Sequence, residues 1–194
     1  LHGALAGGRG AILLGSHAGN GLLLAVQLAR AGLPVSVVYR QARMMSADLF
    51  EQGFALYGIE GILANEGLKA YGRMLGALKK NRVVFLMMDQ GVKRAEDGVP
   101  MRFLGKDMPM PAGPAQLARH ARSPVLPVAT VAADPAWTFE IGETVQRAPG
   151  STLEADTEQL LRLTEQQVLR NPYLWSWHQR RWRHFPLASK RLDG

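Results

Sequence analysis

Apolar residues in this chain come in short unbroken runs, and the segments between those runs carry helical spacing. Ala11–Gly15 reads as a strand because consecutive apolar residues run into a glycine-rich turn. Gly19–Ala31 reads as a helix, apolar on most faces and therefore expected to be buried, and Gly32-Leu33-Pro34 breaks it. Val35–Tyr39 is a β-branched run suited to a central strand. Ser46–Tyr57 has helical spacing at Leu49, Phe50, Phe54 and Leu56, with Ser46 as the expected N-cap. Ile59–Ala64 is a short strand, and Leu68–Lys80 a helix carrying Leu68, Tyr71, Leu75 and Leu78 on one side. Val83–Met88 is apolar throughout, the mark of a strand covered on both faces. Asp89–Pro111, rich in glycine and proline, reads as a long loop. Helix Gly113–Arg122, strand Pro124–Val131, a strand Trp137–Ile141 paired beside it, helix Leu153–Arg170 and a last segment Pro172–Arg183 complete the chain. Such alternation predicts an α/β fold, with a mostly parallel central sheet flanked by helices.

Composition narrows the picture. A chain of 194 residues is expected to form one domain, 1–194, large enough for a real core. It has no cysteine, so disulfides, thiolate metal sites and a cysteine nucleophile are excluded. Its histidines lack ligand spacing, and no metal is expected. The formal charge is +7, a balance common in proteins that meet phosphate. Arg180, Arg181, Arg183, Lys190 and Arg191 crowd the C-terminal end. No nucleic-acid motif accompanies the charge, so no nucleic-acid partner is expected. No apolar stretch approaches the ~20 residues of a spanning helix. The chain opens on Leu1 rather than methionine, and the expectation is that a membrane-anchoring segment precedes it.

The turn Gly15-Ser16-His17-Ala18-Gly19-Asn20-Gly21-Leu22 supports two chemistries. One is dinucleotide binding of the short-chain dehydrogenase kind. There the glycines admit a pyrophosphate, the helix start supplies partial positive charge, and Arg40 favours a 2′-phosphate. None of Tyr39, Tyr57, Tyr71 or Tyr173 has the lysine four residues on that such chemistry needs. The other is acyl transfer. His17 takes a proton from a substrate hydroxyl, and backbone N–H groups of the next helix stabilise the oxyanion.

Further segments extend the second reading. Ser16 to Leu22 resembles the His-Phe-Gly-Asn-Trp-Glu type block of the bacterial lipid A (Kdo-dependent) acyltransferases, within the lysophospholipid acyltransferase superfamily. Val38-Tyr39-Arg40 is similar to the family's Val-Tyr-Arg block, and Met88-Asp89-Gln90 to its Pro-Asp-Gln block. Phe103-Leu104-Gly105, Gly113-Pro114-Ala115-Gln116-Leu117-Ala118 and Pro124-Val125-Leu126-Pro127 follow in the family's order. Tyr173 to Trp182 resembles its Trp-x-x-His-Arg-Arg-Trp close.

The resemblance implies transfer of a fatty acyl chain from an acyl carrier protein or CoA thioester to a hydroxyl of a glycolipid or lysolipid. No resident cofactor is implied. It implies work at a membrane surface, on the cytoplasmic face of the bacterial inner membrane. With it, His17 is expected to be catalytic, joined by Asp89 from its place at a strand's carboxyl end, and Asn20, Arg40, Gln90, Arg180 and Arg181 are expected to bind substrate. Two positions depart from the pattern: Gly21 replaces a usual tryptophan, and the family's acid, the fifth residue after the histidine, is here Leu22. Leucine cannot orient an imidazole or stabilise its charged form. Three arrangements remain open. Another acid serves His17, with Asp89 the best placed; His17 acts alone; or the fold persists as a lipid-binding protein without the chemistry. Trp175, Trp177 and Trp182 fit either a lipid-facing edge or core packing.

Overall fold

The computed structural model describes residues 1–41, 47–92, 94–132, 136–179 and 181. Its helices are α1 (His2–Leu5), α2 (Gly21–Arg30), α3 (Ala47–Ala55), α4 (Leu68–Lys79), α5 (Gly113–Ala121) and α6 (Leu153–Arg170). Its strands are β1 (Ala11–Gly15), β2 (Val35–Tyr39), β3 (Glu60–Leu63), β4 (Val83–Met87), β5 (Val99–Phe103), β6 (Lys106–Met110), β7 (Val125–Ala132) and β8 (Trp137–Ile141). Six strands form the main sheet in the order β3-β2-β4-β1-β7-β8, parallel except for β8. The expected α/β architecture is the observed one.

Strand alternation explains how one sheet builds two cores. Ile12, Leu14, Val84 and Leu86 point to the face covered by α4, α5 and α6. Ala11, Leu13, Val83 and Phe85 point to the face that receives Leu24 and Ala25 of α2 and Phe54 of α3. Every residue of β1 is buried, which is why its sequence shows no polar alternation. The connection leaving β1 runs to β2 on one side, and that leaving β4 runs to β7 on the other. The carboxyl ends of neighbours β1 and β4 therefore form a switch point, where open α/β sheets leave a crevice.

Several expectations need correction. The segment Asp89–Pro111 is not a structureless loop, since β5 and β6 pair antiparallel within it. Pro100 sits opposite Pro109, so a proline interrupts each strand at the same rung and hides the hairpin from its sequence. Its turn places Leu104 and Gly105 at φ 49° and 75°, and the Leu104 amide donates to Glu165 of α6 at 2.6 Å. Phe103, Met108 and Met110 carry the hairpin into the core. Helix α2 is only half covered, with Leu22 40% exposed. Leu68 does not join Leu78 in the core but is 90% exposed. Arg82, in the turn before β4, donates to Ser36 Oγ at 2.8 Å and the Val35 carbonyl at 2.5 Å. Ser46 lies outside the described residues.

The hairpin is therefore part of the folded core rather than a covering flap. Phe103→Ala is expected to lower unfolding free energy by about 3 kcal/mol or more, the usual cost of emptying a buried phenylalanine site. Urea denaturation checks this, and a loss below about 1 kcal/mol would mean that the hairpin does not depend on this contact.

Candidate active site

The parallel register of β1 and β4 assembles the site. Gly15 pairs with Met87, an offset of 72 residues. The same offset joins His17 to Asp89, each lying just past its strand at the switch point. The chain stays paired beyond the strands, since the Met88 amide donates to the Gly15 carbonyl at 3.3 Å. Glycines let the next elements pack this closely. A Cβ on Gly21 would sit 3.1 Å from Met87 and 3.2 Å from Phe85. Gly19 has φ +61°, and a Cβ there would lie 2.4 Å from Thr130 Cγ2 and 3.1 Å from Trp137. Close packing thus accounts for the glycines that also suggested a pyrophosphate cradle.

Asp89 is fully buried. Its Oδ1 lies 2.6 Å from His17 Nδ1. Its Oδ2 accepts from the His17 backbone N–H at 3.0 Å, Trp175 Nε1 at 2.7 Å and Arg181 Nη2 at 2.8 Å. Burial pushes the carboxyl pKa up. The hydrogen bond and charge of His17, the Arg181 guanidinium and the Trp175 N–H together outweigh that push and hold it down at about 2. An ionised carboxylate only accepts, so the proton in the 2.6 Å contact belongs to Nδ1 of His17. A neutral ring then presents a bare Nε2 on its half-exposed side, the protonation pattern of a general base.

The segment after α6 closes the back of the site. Ala18 bridges to Trp175 in antiparallel fashion. The Ser176 amide donates to the His17 carbonyl at 2.9 Å, and the Gly19 amide to the Leu174 carbonyl at 2.9 Å. Trp175 is buried against Phe103, ring centres 6.2 Å apart, and the Arg181 guanidinium carbon lies 3.9 Å above the Trp175 ring. Arg181 also donates through Nε to the Asp89 carbonyl at 2.9 Å and through Nη1 to the Ser176 carbonyl at 2.5 Å. Each of its guanidinium nitrogens is engaged, and its side chain is 1% exposed. Arg181, expected to bind substrate, instead stands behind Asp89 because that buried carboxylate needs a compensating cation.

The other expected site residues are placed as follows. Gln90 lies at the open side, its Nε2 3.3 Å from His17 Nε2 and 2.5 Å from Gln179 Oε1. Asn20 is the N-cap of α2, and its Oδ1 accepts from the Leu23 amide at 3.1 Å. Arg40 follows β2 at the same carboxyl edge, exposed, and makes no hydrogen bond or ion pair among the described residues. No hydrogen bond or ion pair joins it to His17 or Asp89, and β2, which it follows, lies beside β4, whose end carries Asp89. Arg180 lies outside the described residues, as does Trp182. Leu22 is exposed in the first turn of α2 and is not a core residue. Sequence reading missed Gln179 and the carboxylate-binding use of Trp175. Both lie in the closing Tyr173–Trp182 block, which was the available signal.

The depressed Asp89 pKa has a stability consequence. A carboxyl lowered from 3.8 to about 2 stabilises the fold at every pH above its unfolded value. That contribution is lost as pH falls from about 4 to about 2. Asp89→Asn should remove it, so the stability gap between the two proteins should narrow by about 2 kcal/mol across that window. Urea titrations at fixed pH steps check this, and a gap that is constant from pH 5 to the acid limit would contradict it.

The chain is similar to the phosphatidylinositol mannoside acyltransferases of Mycobacterium tuberculosis strains H37Rv and CDC 1551. Identity to each is 28% over 187 residues, covering 94% of this chain and 57% of the relative. The chain thus spans little more than half the length of these relatives. A family model described as bacterial lipid A biosynthesis acyltransferase matches residues 1–184, and on that match the chain belongs to the bacterial lipid A biosynthesis acyltransferase family.

Proposed function

We propose that this chain transfers a fatty acyl group from a thioester, carried by CoA or an acyl carrier protein, to a hydroxyl of a glycolipid acceptor. The carrying observation is the 2.6 Å contact between His17 Nδ1 and the buried, ionised Asp89, which leaves Nε2 facing the open side. In the reaction, Nε2 accepts the proton of the acceptor hydroxyl as its oxygen attacks the thioester carbonyl carbon. The resulting imidazolium is stabilised by Asp89, whose charge is held by Arg181 and Trp175. Collapse of the tetrahedral intermediate breaks the C–S bond, and the imidazolium returns its proton to the departing sulfur. The first-turn N–H groups of α2, beside the turn that carries His17, are suited to the developing oxyanion.

The acceptor is a phosphate-bearing glycolipid in this reading. Exposed Arg40 at the carboxyl edge fits a head-group phosphate, and the mycobacterial relatives are named for such an acceptor. Asn20, whose amide nitrogen is not needed for capping, and Arg180 are assigned to acceptor binding. Exposed apolar side chains rim the site: Leu22, Trp137, Tyr173 and Trp177. Trp137 is beside Gly19, and Trp177 lies 4.7 Å from Trp175 between ring centres. Such a rim suits the head-group layer of a membrane, and the proposed location is the cytoplasmic face of the bacterial inner membrane. No helix among the described residues is long and apolar enough to cross a membrane. In this reading the apolar rim meets the head-group layer.

Transfer from a long-chain acyl-CoA to a mannosylated phosphoinositide tests the reading. His17→Ala is expected to lower kcat/KM by about 1,000-fold or more in a protein that still folds, with a lower melting temperature because buried Asp89 loses the imidazole donor, and Asp89→Asn by a comparable factor. Retained turnover in His17→Ala would exclude the mechanism.

A further inference from the structure

We infer that Gln90 caps the catalytic base in the resting site and so favours acyl transfer over hydrolysis of the donor. The inference rests on the acyl-transfer reading and adds a specificity-determining residue to it. Its basis is the proton inventory around His17. Asp89 holds the Nδ1 proton, which leaves one lone pair, on Nε2. Gln90 Nε2 lies 3.3 Å from that lone pair and 2.5 Å from Gln179 Oε1. A primary amide nitrogen has two hydrogens and no lone pair for bonding. One hydrogen goes to the Gln179 oxygen, and the other faces His17 Nε2. The position that an attacking hydroxyl must take is thus already filled by a donor that cannot react.

The consequence concerns water. For hydrolysis, a water oxygen attacks the thioester carbonyl carbon while its proton passes to Nε2. The C–S bond then breaks, and the sulfur takes the proton from the imidazolium, leaving a carboxylic acid and a thiol. Water gains little by displacing Gln90, because it offers the base one hydrogen bond in exchange for one. A bound acceptor brings the rest of its contacts with it and can displace the amide. Gln90 and Gln179 are both only partly buried, so the amide has room to turn aside. Gln179 holds the cap in place from the segment that also carries Trp175 and Arg181. The closing block thereby touches both nitrogens of the imidazole, through Asp89 on one side and Gln90 on the other.

Two readouts on Gln90→Ala and Gln179→Ala test the cap, with thermal melts to establish that each variant is folded. The first needs no acyl transfer. Diethyl pyrocarbonate attacks the bare imidazole nitrogen, and peptide mass spectrometry reads its rate at His17 against His2 of the same molecule. Losing one hydrogen bond to the base should raise that ratio about 2- to 10-fold in Gln90→Ala, and less in Gln179→Ala. The second is hydrolysis of palmitoyl-CoA without acceptor, relative to transfer with a mannosylated phosphoinositide present. That hydrolysis-to-transfer ratio should rise by a similar factor. An unchanged modification ratio in both variants would overturn the cap. So would a raised modification ratio with an unchanged hydrolysis-to-transfer ratio in an active enzyme, since the cap would then not govern water. A raised modification ratio in a protein that transfers no acyl group would uphold the cap and count against the acyl-transfer reading instead.

Discussion

A buried carboxylate with four N–H donors holds this site together. Asp89 draws those donors from two separate stretches, His17 after β1 and the Trp175–Arg181 segment after α6. An unpaired charge at a fully buried position would be prohibitively costly, so the carboxylate obliges the chain to bring a cation and several dipoles to it. Arg181 supplies the cation and is itself sandwiched against Trp175. Burial pulls the Arg181 pKa down, and the Asp89 charge and hydrogen bond oppose that pull. Neither member of the pair is stable there without the other.

The sheet turns that local requirement into a functional geometry. Parallel pairing of β1 with β4 sets one constant offset, and the offset that aligns Ala11 with Val83 also brings His17 to Asp89. Close packing of the glycine turn, and of α2 behind it, keeps the imidazole at the mouth of the crevice rather than inside the core. The β5–β6 hairpin then supports the arrangement from behind, because Phe103 lies edge-on to the tryptophan that bonds Asp89. A long chain of packing contacts thus ends on one hydrogen bond.

Much of the fold could be read from local pattern. The runs at Ala11–Gly15 and Val35–Tyr39 coincide with β1 and β2, and Leu153–Arg170 coincides with α6, whose start is capped by Thr152. Opposed prolines concealed the hairpin, and the exposure of Leu68 depended on what α4 meets rather than on its own periodicity. The site was legible in part. His17 stood out because a titratable residue followed a buried strand, and Asp89 did for the same reason. Their pairing was one of three arrangements the sequence left open, with Asp89 the best-placed acid because it too follows a buried strand, while the family resemblance pointed to Leu22 as the acid's usual position. A carboxylate contributed through strand register leaves no local trace at position 22. The place of Arg181 was hidden for a similar reason, since only tertiary packing distinguishes a guanidinium that faces a buried acid from one that faces a ligand.

The central claim is that Asp89 fixes the His17 proton on Nδ1 and frees Nε2. Nitrogen-15 NMR of the histidine ring at neutral pH measures this directly, with Asp89→Asn as reference. The account predicts that the neutral form of the His17 ring carries its proton on Nδ1, with a low-field, slowly exchanging proton in the contact to Asp89, and loss of that tautomer preference in the variant. A ring protonated at Nε2, or one whose tautomers average identically in both proteins, would contradict it.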